Sequence, residues 1–278
     1  MVGIKKRILW IDFLKIFAIL MVVWGHVLPR MGWYTGDTNY TGAHGFIYSF
    51  HMPLFMMLSG FVSYKIIDGK LDVIRKFRQL IIPCITLFLI CSVVGFDENF
   101  WYLKSLFLCY FLWGTYFTLN CKYKKYIALL ACLIIFPIIW CIPILGYCKL
   151  DFMLPFFGFG LFLHSKSDYL KKNLNKLLPI MALCFIVCEI FWNKDYIWYN
   201  SQPCWIDYKE MALNLNIVIH PASFWYVGFR YLTGAVASLF FILFSMKCYE
   251  ALKPAKIMLK IANGGGIPCM CTSYKPLS

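Results

Sequence analysis

Apolar runs long enough to cross a bilayer recur along this sequence, and they constrain its fold more than any other feature. A membrane-spanning helix needs about 20 apolar residues. The runs are continuously apolar, without the two-residue alternation of barrel strands, so helices are favoured over strands. Only 14% of the 278 residues are charged, whereas soluble domains carry about 25%. The sequence therefore predicts an all-α fold, a polytopic transmembrane helix bundle of about eight spans. The predicted spans lie near residues 8–28, 44–64, 79–96, 100–119, 126–146, 150–164, 177–192 and 222–246.

Basic residues between the apolar runs predict the orientation of the chain. They cluster before the first run and in every second connection after it, whereas the other connections hold only a few, such as Arg30 and Lys149. Basic connections tend to stay in the cytoplasm. We therefore expect a multi-pass protein of the inner (plasma) membrane with a cytoplasmic N-terminus. This placement accounts for the formal net charge of +14, so the expected partner is the lipid bilayer and not nucleic acid.

The 13 cysteines give no sign of a disulfide framework or a metal site. Many of them lie inside apolar runs, where cysteine behaves as a small hydrophobic residue. Cys269 and Cys271 form an isolated C-x-C pair, which supplies too few ligands for a metal. We expect no metal cofactor.

The first apolar run contains three polar residues, Asp12, Lys15 and His26. At about 100° per residue all three lie on one stripe of a helix, and Lys15 and His26 are roughly 16 Å apart along its axis. A charge near the bilayer centre costs about 2.5–3.5 kcal/mol, so a shared stripe favours a polar cavity. The alternative is that Lys15 extends to the interface and pairs with Asp12, while His26 is simply interfacial.

The second run carries His51 near the end predicted to face outward, and His26 lies near the same end of the first run. Because the two helices are consecutive and antiparallel, we expect the histidines to meet at one membrane depth. A histidine can take or give a proton near neutral pH, which suits acid–base chemistry on a hydroxyl. Pro53 is expected to loosen the local helix, and Ser59 and Gly60 are small enough for another helix to pack closely.

Other cations lie in or beside the runs. Arg75 and Arg78 precede the third run and can bind the phosphates of a nucleotide-like donor, because a guanidinium group matches phosphate oxygens. The alternative is the ordinary positive charge of a cytoplasmic connection. Arg230 lies well inside the last run and is a cavity candidate. Lys104 lies close enough to an outer end to reach the interface.

These motifs together resemble a known family. The stretch from Asp12 through Lys15 to His26, followed by FHMPLFMMLSGF at 50–61, resembles the acyltransferase-3 family of integral membrane acyltransferases. The segments RKFRQLIIP, FWYLKSLFLCYF and DFMLPFFGFGLFL, at 75–83, 100–111 and 151–163, support it. The resemblance extends from about residue 8 to residue 163.

The resemblance implies an O-acyltransferase that moves acetyl from cytosolic acetyl-CoA to a hydroxyl of a surface sugar, most like the capsule or exopolysaccharide acetylases. His26 matches the essential histidine of the family's first span. Lys15 stands where the family usually has arginine, so the two-pronged contact of a guanidinium is lost. Arg75 and Arg78 match the basic pair that is thought to serve the donor.

From this we form a mechanistic hypothesis. Lys15, Arg75 and Arg78 bind acyl-CoA, and His26 acts as base on a hydroxyl of a glycan or lipid-linked oligosaccharide. His51 orients or shares the proton, and Asp12 completes the catalytic set. A His26-acyl intermediate is an open alternative. Two other readings also stay open: a transporter or flippase subunit for glycan precursors, and an inactive truncated product.

The C-terminal end departs from the family pattern. The density of Phe, Ile and Leu stops after Asn263, and the chain ends KIANGGGIPCMCTSYKPLS, where the family usually continues with further spans. We expect a membrane domain over residues 1–262 and an atypical tail over residues 263–278 from truncation or a frameshift.

Overall fold

The computed structural model describes six stretches of the chain, and their regular structure is helical throughout. The stretches are residues 9–35, 41–63, 73–94, 101–122, 149–192 and 221–252. Within them the prediction of an all-α fold is confirmed. The described helices are α1 (Leu9–Thr35), α2 (Thr41–Ser63), α3 (Val73–Val94), α4 (Trp101–Lys122), α5 (Leu150–Ser165), α6 (Ser167–Lys172), α7 (Leu174–Phe191) and α8 (Pro221–Leu252).

Five of the described helices are long and apolar enough to cross a membrane. They correspond to the first, second, third, seventh and eighth predicted spans. Helix α4 coincides with the fourth predicted span but is not among these five, and α5 is apolar but short, as the sequence suggests. The fifth predicted span, near 126–146, lies outside the described residues. The chain is thus a multi-pass membrane protein, and the count of eight spans is not confirmed. The apolar stretches are Leu9–Leu28, Gly42–Ser63, Lys76–Val93, Leu174–Phe191 and Trp225–Ala251.

Helix α2 lies at the centre and packs on α1, α5 and α8. It approaches α5 most closely, because each of these two helices places a glycine against the backbone of the other. A Cβ atom at Gly60 would overlap the carbonyl oxygen of Phe157, and one at Gly160 would overlap that of Met57. The prediction that Ser59 and Gly60 admit a close helix neighbour is confirmed at Gly60. Small residues permit such contact in membranes, where dispersion between close backbones replaces the hydrophobic effect.

Helix α8 covers another face of α2 and joins it to α1. A Cβ at Gly234 would lie 2.8 Å from Pro53 Cγ, so α8 packs directly on the proline turn of α2. The ring of Phe241 lies 4.5 Å from that of Phe50 and 5.0 Å from that of Phe17, centroid to centroid. Helices α1, α2 and α8 therefore share one aromatic core.

Side-chain hydrogen bonds connect the remaining helices to this core. Trp113 Nε1 of α4 donates to the Leu154 carbonyl of α5 at 3.2 Å. Lys247 Nζ of α8 donates to Asn175 Oδ1 of α7 at 2.6 Å. Helix α3 packs on α4 and leaves a broad apolar surface exposed. It begins at Val73, earlier than the predicted third span.

The earlier start of α3 corrects one expectation. Arg75 and Arg78 lie in the first turns of a helix, whereas the sequence placed them in the connection before it. Below, the outer end of the bundle means the end where α1 finishes and α2 begins, and the cytoplasmic end means the opposite one. Both names follow the orientation predicted from the charges.

Candidate active site

The polar stripe of α1 borders the packed face of that helix. The buried residues of the first turns include Trp10, Leu14 and Ala18. At 100° per residue the stripe of Asp12, Lys15 and His26 lies roughly 110° around the helix from them. Asp12 and Lys15 are partly buried and His26 is exposed. The stripe therefore flanks the contact with α2 instead of pointing into the centre, and a polar cavity along it stays a prediction.

Three rings form a ladder along one face of α2 at its outer end. The His44 and Tyr48 ring centroids are 4.1 Å apart, and those of Tyr48 and His51 are 4.7 Å apart. The spacing of four and then three residues keeps all three on one face of a helix. His44 thus lies next to the predicted site.

His51 is buried, with 3% of its surface exposed, and its orientation is fixed by its own helix. Its Nδ1 lies 2.8 Å from the Ile47 carbonyl oxygen. A carbonyl can only accept, so Nδ1 carries the proton and donates it. In the neutral ring Nε2 then holds the lone pair. The hydrogen bond selects one tautomer, which is what a proton-accepting histidine requires.

The structure brings His26 and His51 to the same end of the α1–α2 interface. A Cβ at Gly25 would lie 3.2 Å from Ile47 Cγ2 and 3.3 Å from the ring of Tyr48, so the helices touch at this level. His26 lies near enough to His51 for the two rings to interact electrostatically. From the helix rise His51 is about 6 Å deeper than His26. Because Cβ atoms tilt toward the N-terminus of their helix, the tilt of the two antiparallel side chains reduces this separation along the axis.

Lys149 adds a fourth group that can carry positive charge. It precedes α5 in a left-handed conformation, φ 53°, which non-glycine residues seldom adopt. Its Nζ lies 4.5 Å from the centre of the Trp101 ring, and Lys149, like His26 and His44, lies near enough to His51 to interact with it electrostatically. Such an environment stabilises negative charge that develops on an oxygen.

The predicted donor residues lie on two helices that pack mainly on different neighbours. Helix α1, with Lys15, packs on α2 and α8, whereas α3 packs on α4. Arg78 is exposed; of the Arg75 side chain nothing is described. Lys76 instead faces α4, with Nζ 4.0 Å from the centre of the Tyr110 ring. The hydroxyl of Tyr110 lies 2.5 Å from that of Ser63 on α2, so this cation and its ring connect to the central helix.

Two further ionisable residues of the described helices lie buried or partly buried in the outer half. Arg230 of α8 is 4% exposed, which agrees with the prediction from the sequence that it lies well inside the last span. Glu189 of α7 was missed. Its Oε1 lies 2.6 Å from Ser49 Oγ of α2. A signal existed, because Glu189 is the one acidic residue in the run 177–192, and an ionisable side chain inside a span marks a candidate functional residue.

Among the described residues, no three His, Cys, Asp or Glu side chains group so that they could hold a metal ion. Six cysteines whose side chains are described are free thiols, and Cys84, Cys109 and Cys188 are buried. The chemistry that the arrangement can support is proton transfer at a histidine pair, with cations nearby, at the outer end of a membrane helix bundle.

Membrane-length helices with a polar histidine site between them define a multi-pass membrane protein whose site is suited to group transfer. A family model described as an acyltransferase domain matches residues 8–263. The chain therefore belongs to the acyltransferase-3 family, as the residues of the first two spans suggested.

Two curated relatives are similar over much of the chain. The nodulation protein NolL of Sinorhizobium fredii is 26% identical over 229 residues, covering 72% of this chain and 61% of the relative. Nodulation protein NolL of Mesorhizobium japonicum is 24% identical over 229 residues, covering 72% of this chain and 60% of the relative. The alignment thus spans about three fifths of each relative. No solved structure is significantly similar to the chain.

Proposed function

We propose that this chain is a membrane O-acyltransferase that moves an acetyl or other acyl group from cytosolic acyl-CoA to a hydroxyl of a cell-surface or lipid-linked glycan. Membership of the acyltransferase-3 family supports the reaction class. The structural observation that supports the proposal is the contact of α1 and α2 where Gly25 lies against Ile47 and Tyr48, at the end of both helices that carries His26 and His51.

In the proposed reaction His26 removes the proton of the acceptor hydroxyl. The oxygen attacks the thioester carbonyl, the carbon–sulfur bond breaks, and the CoA sulfur leaves with the proton that His26 has taken up. His51 keeps a fixed lone pair at Nε2 because Nδ1 is bonded to Ile47, so it can orient His26 or share its proton. Positioned acid–base catalysis of this kind contributes about 10²- to 10⁴-fold.

Exposure favours His26 over His51 as the group that meets the acceptor. His26 is exposed, whereas His51 is 3% exposed and cannot contact a bulky sugar without movement. The positive charge of Lys149 would stabilise the negative charge on the attacking oxygen. In the same proposal Asp12 belongs to the catalytic set and lies beside Lys15 on the cytoplasmic side of the stripe.

The acyl donor is proposed to bind from the cytoplasmic end. Lys15, Arg75 and Arg78 would bind the CoA phosphates, and the extended arm of CoA would follow the α1 stripe toward His26. The distance along the axis from Lys15 to His26 is roughly 16 Å. The position of Lys76 over Tyr110 makes it an additional cation at the end where the donor would enter.

The test is transfer of radiolabelled acetyl from acetyl-CoA to glycan in membranes that carry this chain. Wild type is compared with His26→Ala and with the matched control His164→Ala. His164 lies near the other end of α5, with its ring 4.8 Å from that of Phe61. We expect label with wild type and the control, and a loss of at least about 100-fold with His26→Ala.

Equal labelling by wild type and His26→Ala would refute the proposed role of His26. If wild type is well expressed and inserted but transfers no label, the acyltransferase proposal for this chain fails. Movement of a labelled glycan precursor across the membrane without acetylation would then support the transporter alternative.

A further inference from the structure

Helices α2 and α7 are joined at the outer end by a polar contact that the proposed reaction does not use. Ser49 Oγ lies 2.6 Å from Glu189 Oε1 and 2.8 Å from the Phe46 carbonyl oxygen. One turn deeper, the ring of Phe185 lies 5.8 Å from Phe46 and 6.2 Å from Phe50, centroid to centroid. Glu189 thus sits at the end of an aromatic contact between the same two helices.

The hydrogen-bonding capacity of these groups indicates a carboxyl that acts as a donor. A serine hydroxyl has one proton, and the Phe46 carbonyl can only accept it. If Ser49 donates to Phe46, then Ser49 Oγ is left to accept, and a protonated Glu189 satisfies both contacts at once. The membrane setting favours this neutral arrangement, because an ionised carboxylate in a span is costly.

The turn of α2 that Glu189 contacts lacks one backbone hydrogen bond. Pro53 lies inside α2 and has no N–H, so the carbonyl four residues earlier, that of Ser49, loses its helical hydrogen bond. His51 lies between these two residues, in the interrupted turn. The Ile47 carbonyl orients the ring within the helix, but the position of the turn itself depends also on other helices: α8 packs on Pro53 through Gly234, and Glu189 contacts Ser49.

We propose that Glu189 is a positioning residue, whose hydrogen bond to Ser49 fixes the interrupted turn of α2 and thereby aims His51 at His26. The effect of this orientation of His51 on acyl transfer rests on the proposed function. The role of Glu189 in fixing the turn of α2 does not. A displacement of about 1 Å in a catalytic group can lower a rate about 100-fold, so a single bond at this turn can control activity.

The first test compares Glu189→Ala, Glu189→Gln and Ser49→Ala in the acetyl-transfer assay. Glutamine has both a donor and an acceptor, so it preserves the bond to Ser49. We expect Glu189→Ala and Ser49→Ala to lower kcat about 10- to 100-fold with little change in KM for acetyl-CoA, and Glu189→Gln to stay within about twofold. The double alanine variant should be no worse than either single one, because both remove the same bond.

A second readout does not need acyl transfer. Diethyl pyrocarbonate modifies accessible, unprotonated histidines, and peptide mass spectrometry reports the rate at each site. In wild type His51 should react slowly because it is buried. We expect Glu189→Ala to raise its rate severalfold and Glu189→Gln to leave it unchanged. His164 is the internal control, since general unfolding would raise both rates.

Two results would overturn the proposal. One is a loss of activity in Glu189→Gln as large as in Glu189→Ala with the folded state intact, which would make Glu189 an acid or base instead of a positioning residue. The other is an unchanged modification rate of His51 in Glu189→Ala. If wild type transfers no acetyl group but His51 becomes reactive in Glu189→Ala, the proposed function fails and the positioning role stands.

Discussion

At the scale of single residues, two hydroxyl contacts and one imidazole contact orient the polar groups of α2. Ser49 is hydrogen-bonded to Glu189, His51 to the Ile47 carbonyl, and Ser63 to Tyr110. Each partner lies on α2 itself or across a helix interface, where lipid offers no substitute hydrogen bond. Removing one member should therefore have a measurable effect on either transfer or stability.

His51→Ala is expected to lower acetyl transfer about 10- to 100-fold, less than His26→Ala, because His51 acts through His26 and not on the acceptor. The measurement is kcat in the labelled acetyl-CoA assay. The control His164→Ala should keep wild-type activity. Wild-type turnover in His51→Ala would show that the histidine pair is not a functional unit.

Tyr110→Phe should lower the free energy of unfolding by about 0.5–1.5 kcal/mol, the net contribution of one hydrogen bond. The variant removes the contact with Ser63 and keeps the ring under Lys76. Thermal unfolding in detergent measures the change. Tyr116→Phe is the matched control, because the ring of Tyr116 packs on the rings of Trp113 and Phe117 and the variant keeps that ring. An equal shift in both variants would contradict a specific role for the Tyr110 hydroxyl.

At the scale of helices, α2 and α5 pack by backbone contact at two glycines. Gly60 lies against the Phe157 carbonyl and Gly160 against that of Met57. The reciprocal arrangement brings the axes close and leaves no room for side chains. Since the apolar rings around it are as compatible with lipid as with protein, shape decides this pairing more than hydrophobicity does.

Gly60→Ala and Gly160→Ala should each destabilise the protein by at least about 1–3 kcal/mol, because a backbone carbonyl cannot move aside as a flexible side chain can. Thermal unfolding in detergent and the yield of folded protein report this. Gly228→Ala is the control, since a Cβ there meets nothing within 4 Å and alanine suits a helix better than glycine. A stable Gly60→Ala variant would show that the α2–α5 approach is looser than described.

At the scale of the whole molecule, the orientation in the membrane decides which end meets acyl-CoA. The predicted cytoplasmic end carries Lys15 and α3 with its basic first turns, and the outer end carries the histidine pair with Lys149 and Glu189. The separation matches a reaction whose donor is cytosolic and whose acceptor is on the other side. Residues 253–278 lie outside the described part, so the expected atypical tail stays a prediction.

Reporter fusions can test this orientation. Alkaline phosphatase is active only outside the cytoplasm. Green fluorescent protein shows the opposite behaviour, because it fluoresces poorly when it is exported unfolded. A fusion after Asp68, in a basic connection, should fluoresce and lack phosphatase activity, and a fusion after Asp97 should do the reverse, because basic connections stay inside. The opposite pattern would invert the two ends of the bundle and place His26 on the cytoplasmic side.

Local chemistry let the sequence predict five of the eight expected spans, whereas the roles of His26 and His51 stay predictions. The apolar runs foretold five membrane-length helices and the short α5, since a run of such residues has one stable backbone state in lipid. His26 and His51 were selected as candidates because each is a polar residue in an apolar helix and because consecutive helices are usually neighbours. The start of α3 was misplaced because basic residues continue a helix as readily as they form a connection.

What the sequence by itself determined is the membrane class, the all-helical fold and the family motifs, because these depend on composition and on short spacings. Only the tertiary structure decided that Glu189 meets Ser49, 140 residues away, that Lys149 acts on His51, and that the α1 stripe flanks its packed face. The physical reason is that lipid and protein interiors are equally apolar. Hydropathy therefore shows that a helix spans the membrane but not which side touches which neighbour, and that choice is made by small residues and shape.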